Sequence, residues 1–146
     1  MAIDDPSSAN LLRTMLDTIT DRVWLKDTHG IHLACNEAFA VHVGASPTQI
    51  VGTSDVQWFG KALAEQFLSA DRIVIQTGES LTLEGTMPSA IHAESDIYEV
   101  IKSPMRDADG QIIGVLGMGR NIQARKDTEA RLRDATRDRV RFAVAA

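Results

Sequence analysis

Asp96-Ile97-Tyr98-Glu99-Val100-Ile101-Lys102-Ser103-Pro104-Met105-Arg106 and Gln111-Ile112-Ile113-Gly114-Val115-Leu116-Gly117-Met118-Gly119-Arg120-Asn121-Ile122 are two β-rich runs joined by Asp107-Ala108-Asp109-Gly110. Together they predict a hairpin, because Gly accepts positive φ and Asp tolerates the left-handed region. The second run is apolar or Gly at every position from Ile112 to Gly119. A half-wet strand would alternate polar and apolar residues, so this one is expected to be central and covered on both faces. Gly114, Gly117 and Gly119 weaken a strand unless another body must approach it closely. Asn121-Ile122 then leads directly into a charged helix. A buried sheet wired to an exiting helix points to a sensor more than to an enzyme.

Working outward, Val23-Trp24-Leu25-Lys26-Asp27 and Ile31-His32-Leu33-Ala34-Cys35 form a second predicted hairpin around Asp27-Thr28-His29-Gly30. Asn36 is a suitable cap for a short helix carrying Ala38, Phe39 and Val43, with Gly44 at its end. Ser46-Pro47-Thr48-Gln49 has the form of a capping box with Pro at the first helical position. Asp55 to Phe59 is expected to be a single turn. Lys61 to Thr77 is the longest predicted helix of the body, and Leu63, Phe67, Ala70 and Val74 make one apolar stripe along it. That stripe is expected to face the sheet, with Leu116 or Met118 opposite. Ser80 to Met87 is a third strand. Before all of this, Leu11, Leu12, Met15 and Ile19 recur at helical spacing from Asn10 to Thr20, after a start over residues 1–9 expected to fray. The order is β-β, helical pieces, β-β-β, helix. It implies an α+β domain with one antiparallel sheet covered on one face.

The 146 residues are one domain's worth, and 44% hydrophobic with 24% charged residues is an ordinary globular composition. The net charge of −5 is unevenly spread: residues 120–146 hold eight Lys/Arg and four Asp/Glu, leaving seven and sixteen for residues 1–119. An acidic body argues against nucleic acid as a partner, since such binding rests on a basic surface. The single cysteine, Cys35, allows no internal disulfide and fits a reducing compartment. No apolar run approaches the ~20 residues of a membrane span, and residues 1–10 lack signal-peptide character. A cytoplasmic location with no direct membrane contact is the resulting expectation.

These residues, in this order, resemble the PAS family of sensory modules from about Leu16 to Leu132. The resemblance is carried by Asp27-Thr28-His29-Gly30, Asn36-Glu37-Ala38-Phe39, Val43-Gly44-Ala45-Ser46 with Ile50-Val51-Gly52, Gly78-Glu79, Pro104-x-x-Asp107-x-x-Gly110 with Ile113-Gly114, and Arg125-Lys126 with Glu129 and Leu132. It implies a five-stranded antiparallel sheet with helices on one face. A flanking helix over residues 1–20, a sensor body over 21–122 and a linker helix over 123–146 complete the division. It also implies that Asn121, Ile122 and Gln123 relay a signal from sheet to linker. The family often ends its last strand with Asp-Ile-Thr, so the charged partner is missing here. The amide that replaces it can still accept a hydrogen bond, but only a neutral one, roughly half as strong as a charge-assisted one.

The chemistry expected of the chain is regulatory rather than catalytic. No nucleophile–base set is recognisable among Asp55, Asp71 and Arg72, and there is no phosphate-binding glycine loop. His29, His32, His42 and His92 lack metal-site spacing, and the long helix holds no histidine for a haem. Cys35 lacks the helical motif that relatives use to form a flavin photoadduct, and reads as a small buried residue. Trp24, Trp58, Phe39, Phe59 and Phe67 read more readily as core, with a pocket as the sharper alternative. The pocket candidates are Phe39, Trp58, Phe67, Val74, Leu116 and Met118. No cofactor or metal is expected, and any ligand should be small, organic and held mostly by apolar contacts. The expected partners are a second copy of the chain and a C-terminal output module, either a histidine kinase or a cyclic-dinucleotide enzyme. A ligand-free dimerisation module and a haem- or flavin-loaded redox, gas or light sensor remain as other readings. The homodimer is expected to form through the N-terminal helix, lying across the outer face of the sheet.

Overall fold

The computed structural model describes residues 6–89, 91 and 95–145. Its elements run α1 Pro6–Thr18, β1 Arg22–Asp27, β2 His32–Cys35, α2 Glu37–Val43, α3 Pro47–Ile50, α4 Val56–Phe59, α5 Lys61–Thr77, β3 Leu81–Gly85, β4 Tyr98–Arg106, β5 Ile112–Asn121 and α6 Gln123–Ala145. The five strands form one antiparallel sheet in the order β2-β1-β5-β4-β3. The apolar glycine-rich run is therefore the central strand, flanked by the first strand of one hairpin and the first strand of the other.

Local chemistry fixes the connections. Asp107 turns the β4–β5 hairpin: its Oδ1 accepts from the backbone N–H of Asp109 at 2.9 Å and of Gln111 at 3.0 Å, while Gly110 adopts φ +82°. Asp27 does the same in the β1–β2 turn, accepting from His29 N and Ile31 N. Asn36 caps α2 by accepting from Phe39 N, and Gly44 closes the helix at φ +89°. Ser46 and Gln49 satisfy one another's backbone N–H groups in a complete capping box at α3.

The core lies between the sheet and the middle helices. Trp24, Cys35, Phe39, Ala40, Val43 and Ile50 form its buried cluster. Gly117 shows why the central strand carries glycine. A Cβ there would run into the Trp24 indole, which lies flat over the strand at that point.

Two expectations about the ends need correction. The N-terminal helix begins at Pro6, where residues up to 9 were expected to fray; residues 1–5 lie outside the described residues. Nor does α1 bury its apolar stripe across the sheet. Leu11, Leu12 and Met15 are 48%, 49% and 57% exposed. The helix is tied by polar contacts to the start of α2: Arg13 donates to Cys35 O at 2.9 Å, and Asp17 Oδ1 accepts from Glu37 N at 3.0 Å. Those anchors tie the Arg13–Asp17 side of the helix to the start of α2 and leave the stripe exposed.

Candidate functional site

A cavity of about 340 Å³ lies between α5 and the inner face of the sheet. Its apolar wall comes from Trp24, Phe39, Phe59, Phe67, Ala70 and Val100. Trp24 stacks on Phe39 with ring centroids 5.0 Å apart, and Phe59 meets Phe67 edge-on at 5.3 Å. Both geometries suit the aromatic quadrupole.

The polar part of the wall is a buried ion cluster. Lys26 Nζ sits 2.6 Å from Asp55 Oδ2 and 2.5 Å from Asp71 Oδ2. Lys102 Nζ sits 2.7 Å from Asp71 Oδ1, and His32 Nε2 lies 2.7 Å from Asp55 Oδ1. Lys26, His32, Asp55, Asp71 and Lys102 are all buried, and Lys26, Asp55 and Lys102 reach the cavity. Burial pushes the Lys26 ammonium pKa down, but the Asp55 and Asp71 carboxylates outweigh it and raise it overall. Lys102 goes the other way: burial first, and then the Lys26 charge, hold it below the usual lysine range despite Asp71. Burial would raise the Asp55 carboxyl, yet the hydrogen bond from His32 and the Lys26 charge bring it below its ordinary value. Such a cluster is stable only because each charge is matched. It is absent from the pocket candidates read off the sequence.

The structure divides those candidates. Phe39 and Phe67 line the cavity. Trp58 packs at the edge of the core cluster and turns its indole N–H to Thr53 Oγ1 at 2.7 Å. Val74 is fully buried but not on the cavity wall. Leu116 and Met118 are on the wrong side of the sheet. They pair with Leu25 and Val23, whereas the cavity residues Trp24 and Lys26 lie between, opposite Gly117 and Val115. Cross-strand partners share a face and side chains alternate with period 2, so Leu116 and Met118 face outward. They cannot stand opposite the α5 stripe. Both are half-buried, so the outer face of β5 is less covered than expected.

Cys35 is 1% exposed, and burial pushes its thiol pKa up to about 11, which suits a core residue and not a nucleophile. Among the described residues no three His, Cys, Asp or Glu side chains gather to hold a metal ion; His92 lies outside them.

Asn121, Ile122 and Gln123 form the joint between sheet and α6. Asn121 Oδ1 accepts from Gln123 N at 2.9 Å, and its Nδ2 donates to Asp96 Oδ2 at 2.9 Å. Gln123 Oε1 accepts from Ile97 N at 2.9 Å, Ile122 N donates to Ile97 O at 2.9 Å, and Ile122 is 3% exposed. The amide of Asn121 thus uses both its acceptor and its donor. A second tie is Glu84, which borders the cavity from β3 and reaches Lys126 at 3.0 Å and Arg125 at 3.6 Å on α6.

Comparison with known proteins places this geometry among relatives. The family model described as the PAS fold matches residues 16–127. The aerobic respiration control sensor protein ArcB of Escherichia coli (strain K12) is 28% identical over 134 residues, 92% of this chain and 17% of that protein. The methanogenesis regulatory histidine kinase FilI of Methanothrix harundinacea (strain 6Ac) is 27% identical over 140 residues, 95% of this chain and 15% of that protein. The chain thus spans less than a fifth of either relative. Among solved structures, VqmA bound to DPO superposes with a TM-score of 0.69 at 23% identity, over 77% of this chain and 56% of that one. The Vibrio VqmA–ligand–DNA complex does so with a TM-score of 0.68 at 22% identity, over 78% and 50%. That likeness corrects the exclusion of nucleic acid drawn from the acidic composition. This fold occurs in a receptor solved on DNA, and the charge of one domain does not report what the rest of such a protein binds. Among the described residues no helix is long and apolar enough to cross a membrane.

Proposed function

The chain belongs to the PAS fold family, and from that premise we propose that it is a cytoplasmic sensory module that binds a small organic ligand. The ligand occupies the cavity between α5 and the sheet, and its arrival is passed through β4, β5 and the joint at Asn121, Ile122 and Gln123 into α6. The module is regulatory and not catalytic, holds no resident cofactor, and serves an output region such as the kinase part of a two-component sensor. The observation that carries the reading is the cavity itself. Its volume of about 340 Å³ lies at the small end of the ~300–1,000 Å³ typical of ligand pockets. It combines aromatic walls with a few fixed polar groups, the usual make-up of such a site.

Native mass spectrometry tests it. The chain is mixed with a cell extract, desalted and compared with Ala70→Phe, which fills the cavity from α5. A small-molecule mass retained by the parent and absent from the variant supports the reading. A bare parent chain overturns it.

The exposed stripe of α1 favours one further element. Two copies associate through Leu11, Leu12 and Met15, whose exposure on one helix face invites a partner surface. Light scattering should then report a dimer that becomes a monomer when residues 1–20 are removed; a full-length monomer would refute it.

A further inference from the structure

Resting on the reading of the cavity as a ligand site, we infer that its ligand carries no net charge and presents a hydrogen-bond acceptor to the Lys102 and Lys26 ammoniums. The inference comes from counting what the ion cluster has left to offer. Two ammoniums, Lys26 and Lys102, face two carboxylates, Asp55 and Asp71. Within these ion pairs the two cationic and the two anionic partners cancel one another. An ionised guest would therefore enter a desolvated site holding no opposite charge in surplus.

The donors and acceptors are not balanced in the same way. Both oxygens of Asp55 are hydrogen-bonded, by His32 and Lys26; Asp71 Oδ1 accepts from Lys102, while Asp71 Oδ2 lies at ion-pair distance from Lys26 without a hydrogen bond and does not line the cavity. Each ammonium has three N–H donors. Lys26 directs one of them to Asp55 and lies in ion-pair contact with Asp71. Lys102 directs one to Asp71 and makes a long contact of 3.5 Å with Phe67 O. So each lysine on the cavity wall keeps a donor without a protein acceptor among the described residues, whereas both oxygens of Asp55, the carboxylate of the cluster that reaches the cavity, are taken. The cluster gives hydrogen bonds to the cavity and takes none. A carbonyl or ring-nitrogen acceptor fits this, and a group that can only donate does not. Phe67 lies beside the same ammonium, 5.6 Å from ring centroid to Nζ. A flat guest that reaches Lys102 is thereby placed against an aromatic face. Glu84 and His42 also border the cavity. Glu84 is committed to Arg125 and Lys126 at the rim.

Three probes of one shape and different charge decide the matter: benzamide, benzoate and benzylammonium, titrated at neutral pH into the labelled chain and followed by its backbone amide resonances. Benzamide should move the Phe67 and Lys102 amides and bind at least tenfold tighter than either ion. Lys102→Met removes one positive charge and leaves a carboxylate in surplus, so in that variant the preference should pass to benzylammonium. If the variant loses its amide dispersion, the ranking on the parent chain decides alone. Benzoate or benzylammonium binding the parent as tightly as benzamide would overturn the inference and leave the ligand site standing. No movement of cavity amides with any probe would overturn both.

Discussion

Lys102 Nζ lies 2.7 Å from Asp71 Oδ1, and the other oxygen of the same carboxylate holds Lys26. One carboxylate of α5 therefore fastens two strands of the sheet, β1 and β4, to the helix that closes the cavity. Asp71→Asn would leave the buried Lys102 ammonium without its carboxylate partner and Lys26 with Asp55 alone. Breaking a buried pair from one side costs ~3–5 kcal/mol, and urea denaturation of the variant should show a loss of that size. A loss under about 1 kcal/mol, the scale of exposed pairs, would show that water already screens the cluster.

The acid limb of stability should carry the signature of Asp55. Its folded-state pKa is depressed below 3.8 by His32 and Lys26 acting against burial. A depressed carboxylate contributes stability that is fully present above its unfolded pKa and is lost as pH falls through the folded value. The parent chain should lose stability below about pH 4 more steeply than Asp55→Asn, because the Asn has no such proton to take up. The check is the difference between their urea midpoints from pH 7 to pH 2. A difference that stays constant through that range would contradict the assignment.

Phe39 and Phe67 should respond differently to truncation. Phe39 is 3% exposed and stacks on Trp24, so Phe39→Ala should cost ~3–5 kcal/mol, as for a packed core aromatic. Phe67 is only half-buried and borders the cavity, so Phe67→Ala should cost clearly less. Equal losses in denaturant melts would mean that the cavity is filled by packing around Phe67.

Glu84 should matter little for stability and more for α6. Its pairs with Lys126 and Arg125 are solvent-exposed, so Glu84→Gln should change stability by less than about 1 kcal/mol. Amide exchange across the first turn of α6 should nevertheless quicken, because one of the two ties to that turn is gone. Unchanged exchange would show that the Asn121–Gln123 joint alone holds the helix.

Much of the fold was legible because local signals agreed with one another. The Asp107 to Gly110 turn, the Ser46 box, the Asn36 cap and the unbroken run of β5 each carry their own chemistry, and the five-stranded sheet follows from their order. The site was legible only in part. Phe39 and Phe67 stood on faces that period and spacing identify. Leu116 and Met118 were misplaced because an apolar strand with no alternation gives no sign of which face is which; only the register with Trp24 decides it. The ion cluster joins residues 26, 32, 55, 71 and 102, which no local window connects. One trace was present: Lys26 lies two residues from Trp24 in a short strand, and so on the same face. The orientation of α1 depended on Arg13 and Asp17, whose partners Cys35 and Glu37 are around twenty residues away.

The central claim is that an event in the cavity reaches α6. Benzamide titration followed at backbone amides tests it in one experiment, read at Trp24 and Lys102 on the wall, Asn121 to Gln123 at the joint and Arg125 and Lys126 on the helix. The account predicts that all three groups shift along one binding curve. Wall amides that move while the joint and helix stay fixed would contradict it.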